Sequence, residues 1–184
     1  MRQLVAFSGL PASGKTTLGA VLAKALGFRF LDKDDFLEAL FHAHGKTTIE
    51  ERNTMSRKAD EQFKAAAQSE NSAVVASWWR HPKSVSTSGT EPWWVSTSIG
   101  TVVEVHCLCS PELAAARFIG RTRLPGHNDQ RWNTSDLLEL FTAQALYGPL
   151  LPEKAIVYNT EDAVGHTAML TQMVQIALQH KGVA

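Results

Sequence analysis

One short segment restricts this chain more than any other feature of its sequence. Residues 9–16 read GLPASGKT, which fits the pattern G-x-x-x-x-G-K-[ST]. An apolar stretch at 4–7 precedes it and apolar residues at helical spacing follow it, the strand–loop–helix setting in which this pattern binds phosphate. Backbone N–H groups and a helix N-terminus can then surround an anion. We expect phosphates to be bound by Gly9, Pro11, Ala12, Ser13, Gly14, Lys15, Thr16 and Thr17.

Two side chains of this loop carry specific chemistry. Lys15 supplies a positive charge for β- and γ-phosphates, and we expect it to face solvent in the free protein. The Thr16 hydroxyl is suited to bind magnesium, which prefers oxygen ligands. The alternative interpretation is a glycine turn followed by a solvated lysine.

The rest of the chain alternates between strands and helices. Apolar runs at 4–7, 28–31, 73–76, 101–108 and 155–158 predict five strands, and helical spacing fills much of the sequence between them. Such alternation predicts a parallel sheet covered by helices on both faces. At 184 residues the chain has the length of one domain, which we place at 1–184.

Composition excludes several classes of protein. The formal net charge is zero, so no overall field attracts nucleic acid or an anionic membrane. Cys107 and Cys109 alternate on one predicted strand and are poorly placed to form a disulfide. No apolar run approaches the roughly 20 residues of a membrane span, and the first residues leave no room for a signal peptide. We expect a cytoplasmic protein, with monomer and homodimer both open.

Beside the phosphate loop, three other segments carry a family resemblance. They are FLDKD at 30–34, Ala76-Ser77 at the end of the third strand, and Arg117 with Arg121 before a predicted lid at about 121–133. With them the chain resembles the small P-loop kinases of the gluconate and shikimate kinase type, relatives of polynucleotide 5'-kinases and chloramphenicol phosphotransferase. The resemblance implies a P-loop NTPase-type three-layer α/β sandwich with a five-stranded parallel sheet and a mobile lid. It also implies ATP, Mg²⁺ and phosphoryl transfer to a hydroxyl of a metabolite or drug.

Acidic residues at 32–35 are the candidates for a base and a metal ligand. If the second strand continues, Asp32 and Asp34 share one face at the carboxyl edge of the sheet, where ligands bind in such folds. The resemblance implies that Asp32 lies near magnesium and that Asp34 accepts the proton of the acceptor hydroxyl. Alternatively, Asp34 or Asp35 caps a helix that begins at Phe36.

Three arginines belong to the helix and loop around the predicted lid. Arg117 and Arg121 are four residues apart and share a helix face. The resemblance implies that Arg121 and Arg123 bind the transferring phosphates, that Arg117 contacts the nucleotide, and that the turn at 158–160 borders adenine. The alternative is a solvated basic surface.

The acceptor site is expected between the second and third strands, at about 36–70. Arg52, Arg57 and Arg80 are suited to bind an anionic or polyhydroxy acceptor, since arginine pairs well with carboxylates. Trp78 or Trp79 can line a pocket, although aromatic residues more often pack in a core. His42 and His44 are two apart, a poor spacing for a metal site on a helix.

The sequence also departs from both kinase families. The third strand ends in Ser77 rather than an acid, which argues against a motor ATPase. The His-Pro pair of gluconate kinases and the Gly-rich segment of shikimate kinases are absent, so neither acceptor is predicted. Two alternatives stay open: a regulatory protein that binds a nucleotide without phosphorylating an acceptor, and a kinase for nucleoside or polynucleotide 5'-hydroxyls, although the balanced charge offers no groove for a nucleic acid.

Overall fold

Five parallel strands form a single sheet in the computed structural model, which describes residues 1–45, 48–96, 100–161 and 167–180. The strands are β1 (Gln3–Gly9), β2 (Arg29–Asp32), β3 (Ser72–Ala76), β4 (Thr101–Leu108) and β5 (Ile156–Asn159). Their order across the sheet is β2-β3-β1-β4-β5. The predicted α/β class and the parallel sheet are confirmed.

Helices connect the strands and cover both faces of the sheet. They are α1 (Lys15–Leu26), α2 (Lys33–His44), α3 (Ile49–Ser69), α4 (Trp93–Ser96), α5 (Pro111–Gly120), α6 (Thr134–Ala145) and α7 (Thr167–His180). Two short 3-10 helices, Pro125–His127 and Asp129–Arg131, lie in the predicted lid. Residues 46 and 47 of the predicted acceptor region lie outside the described residues.

Strand β1 explains why the phosphate loop is firmly placed. It is the middle strand, and its apolar side chains alternate between two buried layers. On one face Val5 and Phe7 pack with residues of α1 and α7, and on the other Leu4 and Ala6 pack with Phe63 of α3. Since both faces are buried, the strand holds the loop at its carboxyl end in a fixed position.

The acidic segment differs from the prediction. Strand β2 ends at Asp32, whose side chain accepts a hydrogen bond of 3.0 Å from the Asp34 amide and caps α2. The helix therefore begins at Lys33 rather than Phe36, and neither Asp34 nor Asp35 is the cap. Asp34 lies in the first turn of a helix, so the predicted continuation of the strand is wrong. An acid at the end of a strand satisfies the free amides of the following helix, which fixes the boundary there.

Several other expectations are resolved by the packing. Cys107 and Cys109 are buried free thiols, and burial raises the pKa of Cys107 to about 12. Trp79 belongs to the core, where its Nε1 donates to the Phe7 carbonyl oxygen at 2.7 Å. Among the described residues, no helix is both long and apolar enough to cross a membrane.

Candidate active site

The phosphate loop has the backbone that its sequence predicts. Gly9 and Gly14 have φ values of 122° and 94°, and Ala12 has a φ of 60°. A side chain at Gly9 would overlap the carbonyl oxygen of Cys107 on β4. The motif glycines are therefore required both for positive φ and for close approach to the neighbouring strand.

Lys15 is buried rather than exposed to solvent, contrary to the prediction. Its Nζ donates to the carbonyl oxygens of Leu10 at 2.5 Å and Gly9 at 3.1 Å. Burial lowers the pKa of Lys15, although Cys107 and then Asp32 and Asp34 favour the charged form. A buried amine needs hydrogen-bond acceptors, and the two loop carbonyls supply them. The Lys15 side chain therefore folds back onto its own loop.

The remaining loop groups fit a phosphate and a hard cation. The Ser13 hydroxyl is buried without a hydrogen-bond partner, so the loop holds a donor that no protein atom satisfies. Thr16 Oγ1 donates to Asp32 Oδ2 at 2.6 Å, which brings a hydroxyl and a carboxylate together. These are ligand types that Mg²⁺ prefers. Burial, and secondarily Asp34, raises the pKa of Asp32 to about 6.

The predicted base and a predicted lid arginine contact each other directly. Arg123 Nη2 donates to Asp34 Oδ2, and its Nη1 donates to Asp129 Oδ2 at 3.4 Å. The same Asp129 oxygen accepts a bond of 3.1 Å from Arg121. Asp129 thus holds both arginines as a pair next to Asp34, which is about half exposed.

A second contact fixes the lid on α2. His127 is buried, and its Nε2 lies 2.8 Å from Glu38 Oε1. Its ring meets that of Phe41 edge to face, with centroids 5.3 Å apart. Gly126 crosses the Phe41 ring so closely that a Cβ would overlap it. The lid segment is therefore docked on the helix that carries Asp34.

Arg117 lies beside the turn at 158–160, which borders the phosphate loop. Its Nη2 donates to the Thr160 carbonyl oxygen at 3.3 Å, and its Nη1 lies 3.7 Å from Cys109 Sγ. Thr160 is also the residue nearest to a Cβ placed on Gly14. The turn at 158–160, the arginine and the phosphate loop are therefore neighbours.

Of the three arginines predicted to bind the acceptor, only Arg52 lies near the lid residues Arg123 and Asp129. Its Nε is buried without a hydrogen-bond partner, and burial and the nearby Arg131 lower its pKa. Arg57 is exposed and donates to Thr54 on its own helix. Arg80 donates to the Thr87 carbonyl oxygen and, together with Trp78, lines a cleft that also borders the phosphate loop at Gly9 and Leu10. Within the described ranges no three His, Cys, Asp or Glu side chains form a metal site.

Sequence reasoning missed two groups of residues. His127 helps to organise the lid, but its partner Glu38 lies 89 positions away, so no local pattern marks it. Asp129 also organises the lid; its partners Arg123 and Arg121 lie six and eight positions away, and no motif links the three residues. Ser8, Glu104 and His106 form a polar cluster between β1 and β4. Glu104 interrupts a Val-rich strand and is fully buried, which is a signal that the sequence did contain.

Comparisons with known proteins agree with this geometry. A family model described as shikimate kinase matches residues 11–77, and no curated protein matches the chain. Among solved structures, a Chloroflexus aurantiacus J-10-fl protein named only as an inferred kinase is 26% identical, with a TM-score of 0.77 over 96% of this chain and 98% of that one.

Two further structures share the fold at lower identity. A shikimate kinase from Bacteroides thetaiotaomicron is 19% identical, with a TM-score of 0.59 over 96% of this chain and 98% of its own. A gluconokinase from Sinorhizobium meliloti 1021 is 18% identical, with a TM-score of 0.54 over 98% of this chain and 94% of its own.

Proposed function

We propose that this chain, whose resemblance to the small P-loop kinases is confirmed, transfers the γ-phosphate of ATP to a hydroxyl of a small molecule, with Asp34 as the base. The observation that carries the proposal is the convergence of the phosphate loop, the Thr16–Asp32 pair and the Asp34–Arg123 pair. In this proposal residues 1–184 form one domain, the acceptor binds at 36–70 and the lid comprises 121–133.

The phosphate side needs little rearrangement. Lys15 exchanges the two loop carbonyls for phosphate oxygens, and the Ser13 hydroxyl gains the partner that it lacks in the free protein. Thr16 and Asp32 would hold Mg²⁺, which would supply positive charge to the phosphates. Arg117 contacts the nucleotide beside Thr160.

The acceptor side must change partners before transfer. Phosphoryl transfer needs the acceptor hydroxyl in line with the γ-phosphate and a carboxylate to take its proton. In the structure Arg123 donates a hydrogen bond to that carboxylate. When Arg123 and Arg121 move to the phosphates, Asp34 is released for the hydroxyl, so one motion completes both halves of the site.

The acceptor carries a negative charge in this proposal. Arg52 has a buried Nε without a partner. Burial, Arg131 and Arg123 lower its pKa, whereas Asp129 and Asp34 favour its charged form. A carboxylate or phosphate of the acceptor accepts a hydrogen bond from this Nε and offsets the cost of burying the guanidinium. Arg57 is too exposed on its own helix to share this role.

An acceptor screen tests the activity. Wild-type protein with ATP and Mg²⁺ is incubated with hydroxy acids, sugars, cyclitols and aminoglycosides, and ADP release above the basal rate is measured. Lys15→Ala serves as the blank. We expect release to rise for at least one anionic hydroxyl compound and its phosphorylated form to appear by mass spectrometry. Tight ATP binding without any phosphorylated product would instead support the regulatory alternative.

A further inference from the structure

A buried polar cluster lies next to the phosphate loop and has no role in the mechanism above. Ser8 and His106 are paired across β1 and β4, and Glu104 precedes His106 by two residues, so the three side chains share one face. Ser8 Oγ lies 2.5 Å from Glu104 Oε1 and 2.9 Å from His106 Nδ1. Glu104 is fully buried.

The hydrogen bonds of this cluster fix the position of one proton. Glu104 accepts bonds from the Leu150 and Leu151 amides at 2.9 and 2.6 Å, and it also accepts the Ser8 hydroxyl proton. Ser8 has no second proton, so at His106 its oxygen must accept, and His106 Nδ1 must donate. The other ring nitrogen, Nε2, is then an unprotonated acceptor in the neutral ring.

The electrostatic surroundings keep the ring neutral. Burial, with smaller contributions from Lys15 and His81, lowers the pKa of His106 to about 4. Histidine normally titrates near 6.5, so at neutral pH this ring carries one proton only. That proton lies on Nδ1, which donates it in the hydrogen bond to Ser8 Oγ.

His106 lines a cleft that opens beside the phosphate loop. Gly9 and Leu10, whose carbonyls bind the Lys15 amine, also line the cleft, so it adjoins the end of the loop that meets the β- and γ-phosphates. The cleft encloses about 80 Å³, several times the roughly 10–15 Å³ that one buried water needs.

Aromatic rings form the walls of this cleft. The rings of His81 and Tyr147 stack with centroids 5.1 Å apart, and Trp78 follows the end of β3. Aromatic faces with a polar floor suit a small ring that bears hydroxyl or amino groups.

We propose that this cleft is a subsite for the acceptor, in which His106 Nε2 accepts a hydrogen bond from a second hydroxyl or N–H group of the molecule being phosphorylated. The inference rests on the proposed kinase function. It specifies the acceptor as a polyhydroxy or amino-hydroxy compound with at least two donor groups. Ser8 and Glu104 act as positioning residues, because they hold His106 in the tautomer that accepts.

The tautomer is measured directly by NMR of ¹⁵N-histidine-labelled protein with Mg²⁺ and a non-hydrolysable ATP analogue. We expect Nδ1 of His106 to carry the proton and Nε2 to carry none. Shikimate, D-gluconate and myo-inositol are then added at saturating concentration, and at least one should shift the Nε2 resonance. A protonated Nε2, or no shift with any of the three compounds, would overturn the proposal.

Two variants separate the ring nitrogens in turnover. Asn at position 106 can place its amide N–H near Nδ1 but lacks an acceptor at Nε2, whereas Gln can reach the Nε2 position with its carbonyl oxygen. With the best acceptor of the screen, His106→Asn should lower kcat/KM for the acceptor about 10- to 100-fold and His106→Gln clearly less, with the KM for ATP unchanged.

The outcomes distinguish the two proposals. If Asp34→Asn abolishes transfer while His106→Asn leaves kcat/KM for the acceptor unchanged, the subsite is wrong and the kinase mechanism stands. If no acceptor is phosphorylated, the kinase proposal fails, and the NMR titration still decides whether the cleft binds polyols through His106.

Discussion

The phosphate loop and the lid both bind phosphate in the proposed mechanism, but they are built in different ways. The loop is one continuous segment whose backbone is fixed by positive φ angles and by a central strand buried on both faces. The lid depends on side-chain pairs between distant residues: Arg123 with Asp34 and His127 with Glu38 are each separated by 89 positions. The backbone of the loop is therefore fixed, whereas the lid is held by side-chain pairs that can be exchanged.

The energies of the two regions differ accordingly. Ion pairs near the surface contribute about 0–1 kcal/mol, and Asp34 is about half exposed, so Arg123 leaves it at low cost. Lys15 can leave its two loop carbonyls only when phosphate oxygens replace them, because a buried donor without a partner costs about 1–3 kcal/mol. Substitutions in the loop should therefore abolish activity, and substitutions in the lid should separate binding from catalysis.

The largest effect is expected in the loop. Lys15→Ala removes the charge that meets the β- and γ-phosphates, and turnover should fall by about 10³-fold or more while the fold persists. ADP release and circular dichroism measure these two effects. Lys24→Ala, an exposed lysine on the same helix, is the matched control. Unchanged turnover in Lys15→Ala would remove the loop from the mechanism.

The second-largest effect is expected at Asp34, the proposed base, which Arg123 of the lid contacts. Asp34→Asn should lower phosphoryl transfer by about 10²- to 10⁴-fold with ATP binding preserved, because the amide keeps the shape and cannot accept a proton. Asp35→Asn, on the exposed neighbour in the same turn, should cost little. Loss of transfer in Asp35→Asn alone would move the base by one residue, and two silent variants would contradict the mechanism.

A smaller effect is expected where the lid docks on α2. Gly126→Ala places a methyl group against the Phe41 ring, so the lid should close less completely. We expect the KM for the acceptor to rise about 3- to 10-fold with ATP affinity unchanged. His42→Ala, an exposed residue of the same helix, is the control. Equal effects of the two substitutions would show that docking at Gly126 has no specific role.

The smallest effect is a pH dependence of stability outside both regions. His106 has a folded pKa of about 4, below its unfolded value, so the unfolded chain binds more protons between pH 6.5 and 4. Stability should therefore fall as the pH falls through this window, by about 1 kcal/mol for a partly buried ring. Urea unfolding at pH 7 and pH 4.5 should show a smaller loss in His106→Asn than in wild type.

The contrast between loop and lid also explains what the sequence could predict. The strands and the loop follow from apolar spacing and one contiguous motif, which local physics determines. The burial of Lys15 was missed because its carbonyl partners belong to the folded loop and leave no pattern in the sequence.

Side-chain contacts between residues that are distant in the sequence could not be predicted at the site. Asp34 was identified through the resemblance, yet the argument that it continues a strand was wrong, because Asp32 ends β2 and caps α2. The contact of His127 with Glu38 spans 89 positions and leaves no local pattern, whereas Asp129 follows its two arginine partners by only six and eight positions. Glu104 was detectable in principle, since a charged residue within a Val-rich strand needs buried partners.

The most direct test of this account is the effect of Arg123→Ala on catalysis and on nucleotide binding, measured on the same protein. The lid arginine meets the phosphates only after leaving Asp34, so its loss should appear in the transition state. We expect kcat to fall about 10²-fold while the Kd of a non-hydrolysable ATP analogue changes by less than about 3-fold. Equal losses in kcat and in affinity would contradict the exchange of partners and identify Arg123 as a ground-state contact.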